Sequence, residues 1–377
     1  MDHTEYRLAL PQEVPQVVDF LNMVFSMAHE RHDFRALLPK AYAHDDLWKM
    51  QYVAVRDGRI LAAVTLLPLM LLPCPGITLK AGFVGGVAVH PYFRGEGHMR
   101  RLMALLLREA RECGFDLLVL GGQRQRYGYY GFGKADPVLS YEINSANVRH
   151  ALRDADDAGI TFEAVNADDA DVLEKISRTY RAGLNICERG DRLYEYLTGW
   201  KAVPEAILWH GSYIGYCCRN ETEVYELRLE DAGILPNVIK AFVKKYGCMQ
   251  GSLALHDSAC REAITDIAED ISLTDSGMIR VLNWQNVLEK MLSVRAAIRP
   301  IADGCSRFRV EGEGQYRLAV SHGQVSVTAE AEETEPPLPP EKAVDLLFSL
   351  GGALQSKDAW LRELLPLPFH MGTMDHF

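Results

Sequence analysis

The chain has 377 residues, 48% hydrophobic and 24% charged, with 40 Lys and Arg against 51 Asp and Glu and a net charge of −11. That length exceeds one ordinary core, so about two or three domains are expected, and the acidic balance argues against non-specific nucleic-acid binding while suiting a cationic small substrate. The N-terminus lacks the basic start and apolar core of a signal peptide, and the most apolar run, 60–72, is too short to span a bilayer, so the expectation is a cytoplasmic chain with no membrane partner.

In chain order, 6–10 reads as a first strand, and 11–28 has helical spacing at Val14, Val17, Val18, Leu21 and Phe25. Residues 51–56 and 60–72 form a hairpin pattern with Asp57-Gly58 as its turn. A strand at 83–89, a helix after Gly97, a strand at 117–120 and another at 138–143 complete a first domain, 1–150. Antiparallel strands before the crossover, with no G-x-G-x-x-G, argue against a dinucleotide-binding sheet. The polar, acidic stretch 148–159 reads as a linker.

The second domain, 151–290, has helix patterns at 168–180 and 234–245 and strand patterns at 206–218, 223–229 and 252–255. It reads as a degenerate copy of the first. After Leu229, Glu230 and Asp231 stand where a phosphate would need glycines and a cation, so the domain is expected to be structural, with walls for an acceptor pocket as a secondary role. The third domain, 291–377, alternates as strands at 306–310, 315–321 and 324–330, followed by helices at 341–350 and 357–365 and an extended end. The eight cysteines show no C-x-x-C spacing, which implies reduced thiols and no metal site.

Chemistry concentrates in 83–134. Gly85 and Gly86 suit a bulge or a close approach of backbone to ligand. Arg94-Gly95-Glu96-Gly97-His98-Met99-Arg100 then opens an amphipathic helix, whose first N–H groups and dipole make an anion site that Arg94 and Arg100 reinforce. Past the second strand come Gly122-Gln123 and the turn Tyr127-Gly128-Tyr129-Tyr130-Gly131-Phe132-Gly133.

The R-x-x-G run after a V-A-V strand resembles the acetyl-CoA motif of GNAT acetyltransferases. With Met99 in place of the motif's final Gly or Ala, and with the tyrosine-glycine turn, the chain is similar to the enhanced intracellular survival (Eis) subfamily. The resemblance implies an α/β (α+β) fold of two GNAT-like domains in tandem plus a small sterol-carrier-like domain, and a homo-oligomer, hexameric in that family. It implies acetyl-CoA as donor, held by Val87, Ala88, Val89, Arg94, Gly95, Glu96, Gly97, His98, Met99, Arg100, Gly122 and Gln123. The last two stand where the family has Ser-Glu. It also implies Tyr127 as the acid, with Tyr129 and Tyr130 as near substitutes, and the C-terminal carboxylate of Phe377 as the base, with Asp375 and His376 as alternatives. A tyrosine of pKa near ~10 can protonate a thiolate without being ionised itself. His29, Glu30 and Asp33, with Asp375 and His376, are expected at the acceptor pocket.

These readings give an acetyl-CoA-dependent N-acetyltransferase acting on an amine of a small cationic molecule such as an aminoglycoside or polyamine. A longer-chain N-acyltransferase, as in N-myristoyltransferases, and a non-catalytic acyl-CoA or lipid binder are the alternatives.

Overall fold

The structure, a computed structural model, describes residues 4–28 and 30–377. The first lobe runs through β1 (Glu5–Leu8), the helix Val14–Ser26, β2 (Gln51–Arg56), β3 (Arg59–Cys74) and β4 (Ile77–Val89). Val14, Val17, Val18, Leu21 and Val24 recur at helical spacing, and all are buried. The hairpin turn falls at Asp57-Gly58, both at positive φ (49° and 73°), as expected. The helix His98–Glu112 then crosses to β5 (Leu117–Leu120), which lies parallel to β4, and β6 (Gly133–Asn144) follows.

The second lobe contains β7 (Ile160–Ala164), the helix Ala170–Arg181, β8 (Ile186–Cys187), β9 (Val203–Trp209), β10 (Ser212–Asn220), β11 (Glu223–Leu229), the helix Leu235–Tyr246 and β12 (Cys248–Ala254). The helix Ser258–Ile267 and β13 (Ile271–Val281) come next. The third lobe has β14 (Gly304–Val310), β15 (Gly314–Ser321), β16 (Gln324–Glu330), β17 (Pro337–Leu338) and the helices Pro340–Phe348, Leu350–Gln355 and Ala359–Leu364. The fold is mixed α/β.

One sheet of 13 strands runs through both larger lobes, in the order β1-β2-β3-β4-β5-β13-β6-β12-β11-β10-β9-β7, with β8 attached to β3. β13 pairs antiparallel with β5 on one side and β6 on the other. A strand that the sequence reading did not anticipate, lying within the span given to the second domain, therefore completes the sheet of the first. The expected boundary between 290 and 291 also moves, because it falls inside the helix Trp284–Ile298. That helix is continuous because Trp284, Val287, Leu288, Met291 and Leu292 form one buried stripe. Trp284 packs on Phe308 and Tyr316 of the four-stranded third-lobe sheet, with ring centroids 6.1 and 6.5 Å away.

Two local expectations fail for identifiable reasons. The linker at 148–159 begins as the helix Ser145–Ala151, because Asn144 and Asn147 form a reciprocal cap: the Asn144 side chain accepts from Asn147 N (3.2 Å), and the Asn147 side chain accepts from Asn144 N (2.9 Å). The strand expected at 206–218 is a hairpin, turned at His210-Gly211 with φ of 50° and 80°. Among the described residues no helix is long and apolar enough to cross a membrane. The eight cysteines are free thiols.

Residues 1–150 alone would leave β5 with an open edge and β6 without either neighbour. A fragment 1–150 is expected to lack the cooperative thermal transition of the whole chain. Near-UV circular dichroism and melting check this, and a sharp native-like melt would show the lobe to be autonomous.

Candidate active site

The site forms where two parallel strands separate. β4 and β5 pair from Ala81–Leu117 to Phe83–Val119. β4 then continues alone to Val89, so the sheet forks. On the other side of β4 the register slips: Ala63 faces Ala88 while Thr65 faces Gly85, which leaves Gly86 and Val87 opposite Val64. This is the bulge that the glycines anticipated. Gly86 has φ +54°, and a Cβ there would meet Thr65 Oγ1 at 2.5 Å and Tyr42 OH at 2.8 Å, so glycine is required sterically. A bulge removes backbone groups from the ladder and leaves them for another partner.

The fork opens into a cleft of about 580 Å³. Of the expected cofactor residues, Val87, Ala88, Val89, Arg94, Met99 and Gln123 line it. Gly95 and Gly97 take positive φ (+88° and +81°) in the loop that opens the helix His98–Glu112, and no side chain among the described residues caps that helix start. Arg100 lies beside Gly97, with a guanidinium nitrogen 3.7 Å from where a Cβ at 97 would stand.

The side chains of Glu96 and His98 are engaged within the protein. Glu96 pairs with Arg56 (2.6 Å) and lies 3.2 Å from His98 Nε2. Nδ1 of buried His98 meets Tyr6 OH at 2.8 Å. These two side chains brace the loop against β1 and β2. Gly122 likewise serves packing: a Cβ there would meet the Tyr127 ring at 2.7 Å.

Tyr127 is buried, with its ring edge-on to Phe132 (6.4 Å). Burial pushes its hydroxyl above the ordinary tyrosine value, and Arg126 beside it pulls the other way. The hydroxyl therefore carries its proton at neutral pH. Tyr129 is 92% exposed and Tyr130 half-buried, which separates the three tyrosines that the sequence left open.

The C-terminal segment docks instead of fraying. The Phe377 ring packs on Phe83 (4.8 Å) and Tyr42 (6.5 Å), and a side-chain carbon at position 85 would stand 3.2 Å from Phe377 O. Phe377 shares a core cluster with Phe83, Leu117 and Val119, whereas Tyr127 shares one with Val84, Leu118 and Leu120. The end of the chain and Tyr127 thus approach the fork from opposite faces of the sheet.

Polar anchors hold this segment. His370 Nδ1 meets Asp136 Oδ1 at 2.6 Å, Lys40 Nζ donates to the Met374 carbonyl, and Asp375 accepts from Arg189 Nε (2.8 Å) and Tyr180 OH (3.1 Å). Asp375 is therefore an anchor: buried though it is, Arg189 holds its carboxyl below the ordinary value. The ring of His376 sits 5.4 Å from Phe83. Its Nε2 is buried without a partner among the described residues, and burial lowers its pKa.

The acceptor-pocket expectation on the first helix is not matched. Asp33 instead caps the helix Phe34–Leu37 through Arg35 N and Ala36 N, Glu30 is exposed, and His29 lies outside the described residues. That end of the lobe lines the cleft with apolar Val24, Phe25 and Ala28.

Residues 5–135 match the model of the acetyltransferase (GNAT) domain. The chain carries this domain and is an enzyme. Three solved structures share the fold along the whole chain. A GCN5-related N-acetyltransferase from Anabaena variabilis is 16% identical, with TM-score 0.71 and 100% of each chain covered. One from Kribbella flavida is 16% identical, with TM-score 0.69 and coverage of 100% of this chain and 99% of that one. Eis1 from Mycobacterium abscessus is 15% identical, with TM-score 0.63 and the same coverage. At these identities the likeness is one of fold. No curated protein matches the sequence.

Sequence reasoning missed the residues that seat the tail on the acetyltransferase domain and the second lobe: Lys40, Asp136, Tyr180, Arg189 and Glu226. Nothing local marks them, since each acts through a partner far along the chain. Lys40 is 1% exposed, and burial brings its pKa down to about 7 from 10.5, against the pull of Asp375. Between those values the unfolded chain keeps a proton that the folded chain has shed. Stability should therefore rise with pH through about 7 to 10.5. Lys40→Met is expected to lose that part of the slope. Melting temperatures of both proteins across this range check it, and parallel curves would count against the depressed value.

Proposed function

We propose that the chain transfers an acetyl group from acetyl-CoA to an amine of a small cationic acceptor at the first-lobe fork. One observation carries the reading. The bulged end of β4 and the loop before His98–Glu112 line one cleft, with Phe377 packed beside Gly85 and the Tyr127 ring beside Gly122, which supports the reading.

The residues present suit the donor. Gly95 and Gly97 allow close approach to an uncapped helix start, and Arg94 and Arg100 add cations suited to a pyrophosphate. The strand end Val87–Val89 offers backbone N–H groups to a pantetheine arm. Acetyl-CoA, when bound, supplies a thioester for attack by the acceptor amine. The N–H groups of Val87 and Val89 would steady the carbonyl oxygen as charge develops there. Tyr127 would hold the proton for the departing thiolate, since burial keeps it protonated. The Phe377 carboxylate beside Gly85 would accept the amine's proton. His376 is the second candidate base, because its Nε2 is buried without a partner among the described residues. The acceptor class rests on the net charge of −11 and the resemblance to the Eis subfamily. Glu30 and Asp33 lend it nothing, as they lie outside the cleft.

Tyr127→Phe is expected to lower turnover by roughly 10²- to 10⁴-fold while leaving acetyl-CoA affinity nearly intact. Thiol release with a panel of amines, together with calorimetry, measures both. Turnover within twofold of wild type would move the acid role to Tyr130 or water.

Appending a few residues after Phe377 replaces the carboxylate with an amide. Deleting Phe377 withdraws it by about 3.3 Å of chain reach. Both changes should lower turnover at least ~10²-fold; the deletion also removes a buried ring and should lower the melting temperature, so the extended chain is the variant that isolates the carboxylate. Intact mass spectrometry establishes the terminal residue in each protein. Wild-type rates in the extended chain, together with loss of activity in His376→Asn, would transfer the base role to His376.

A further inference from the structure

The second lobe repeats the fork. β11 and β12 are parallel and pair only at Glu223–Gln250 and Val224–Gly251; β11 then runs on to Leu229 and β12 to Ala254. The arms enclose a cavity of about 420 Å³, and a second of about 330 Å³ shares Ala182, Gly183, Leu227, Arg228, Leu253 and Asp257 with it. The loop after β11 offers no phosphate seat. Asp231 caps it through Gly233 N (2.8 Å).

The charge in this fork comes from the strand itself. Arg228 lines both cavities and makes no hydrogen bond or ion pair among the described residues. Gly183 makes room for it, since a Cβ there would meet its guanidinium nitrogen at 3.0 Å. The neighbouring carboxylates are committed elsewhere. Glu226 accepts from Arg189 (2.6 and 3.0 Å) and from Tyr216 OH (2.6 Å), and Asp257 accepts from Cys260 N (3.3 Å) at the start of the helix Ser258–Ile267. Burial works against the charge of Arg228, but Glu226 and Asp257 sustain it from a distance, so it remains a cation.

A second donor stands nearby. Asn185 Nδ2 donates to His256 Nε2 (2.6 Å), and burial brings the His256 pKa down to about 3. A neutral ring that accepts at Nε2 carries its proton on Nδ1. The rest of this wall is mixed, with Tyr225, Ser252, Ser258, His370 and Thr373 among Leu184, Leu227, Leu253 and Ile298, while the adjoining cavity is the more apolar one, lined by Val224, Leu229, Leu235 and Ile264. An uncommitted arginine beside a neutral N–H donor, with the two carboxylates of the wall already engaged and a more apolar cavity adjoining, suits a small anion with a hydrocarbon body.

We propose that the second-lobe fork is a binding site for a small molecule with a carboxylate or phosphate head on an apolar body, its head held by Arg228 and His256. The first-lobe fork holds its expected anion by a loop and a helix start; this fork holds one by a strand arginine.

Isothermal titration of the whole protein with octanoate, octyl phosphate and octylamine tests it. One of the two anions is expected to bind at a single site, the tighter one naming the head group, and octylamine is expected not to bind. Arg228→Gln should weaken anion binding by about 10- to 100-fold, the loss expected for one charged hydrogen bond. Ala182→Phe, which fills the cavity from an exposed position, should weaken it comparably and keeps the test open if Arg228→Gln fails to fold. Arg94→Ala, in the first fork, should leave it unchanged. Absence of binding by both anions, equal binding in both second-fork variants, or octylamine binding as tightly as the anions would overturn the proposal.

Discussion

The docking of the C-terminal segment depends on one buried cation. Arg189 is 5% exposed and sits between two carboxylates, with Nε on Asp375 and the other two nitrogens on Glu226, its plane 3.8 Å from the Tyr180 ring centroid. Taking a guanidinium out of water is costly unless its donors are met, and here three of them meet carboxylate oxygens. Removing either carboxylate would leave buried guanidinium N–H donors without an acceptor, at a cost of about 1–3 kcal/mol or more. The same contact fixes where the last residues lie, because Asp375 is only two positions from Phe377. The second lobe thus takes part in the first-lobe site without touching its cleft: β11 supplies Glu226, Glu226 orients Arg189, and Arg189 holds the segment that delivers Phe377.

Much of this architecture can be read from local pattern. The apolar runs at 51–56 and 60–72, the glycine-marked turn between them, the four-residue strand at 117–120 and the helix after Gly97 all stand near where the sequence pattern puts them. The bulge was legible in Gly85-Gly86 because glycine in an apolar strand needs a reason. β13 was not legible. Its N-terminal half, Ile-Ser-Leu-Thr, is exposed on both faces, so no core alternation marks it, and its pairing partners lie far away in the chain. The acids at 30 and 33 looked like an acceptor wall by composition, yet Asp33 turns to its own helix start, which is a common use of such a residue.

The two forks show how one sheet geometry supports different electrostatics. In the first, a bulge and two positive-φ glycines bring backbone close to a ligand, and the cations stand at the rim. In the second, acids follow the strand, and the cation is carried between the arms on Arg228. The tail runs past both: His370, Gly372 and Thr373 wall the second cavity, while Phe377 reaches the first fork. Whatever the second fork holds lies against the same peptide segment that ends at the first.

The insertion of β13 between β5 and β6 also sets an order of assembly. β5 can find β4 early, through a crossover of some thirty residues, but its other edge must wait for residues 278–281. Closing so long a loop is slow compared with local pairing. The lobe that comes first in sequence is therefore among the last to be finished. Until then Leu117–Leu120, wholly apolar and destined to be fully buried, presents an unpaired strand edge of the kind that recruits other chains. Yield on refolding should be governed less by the stability of the finished sheet than by how long that edge stays open.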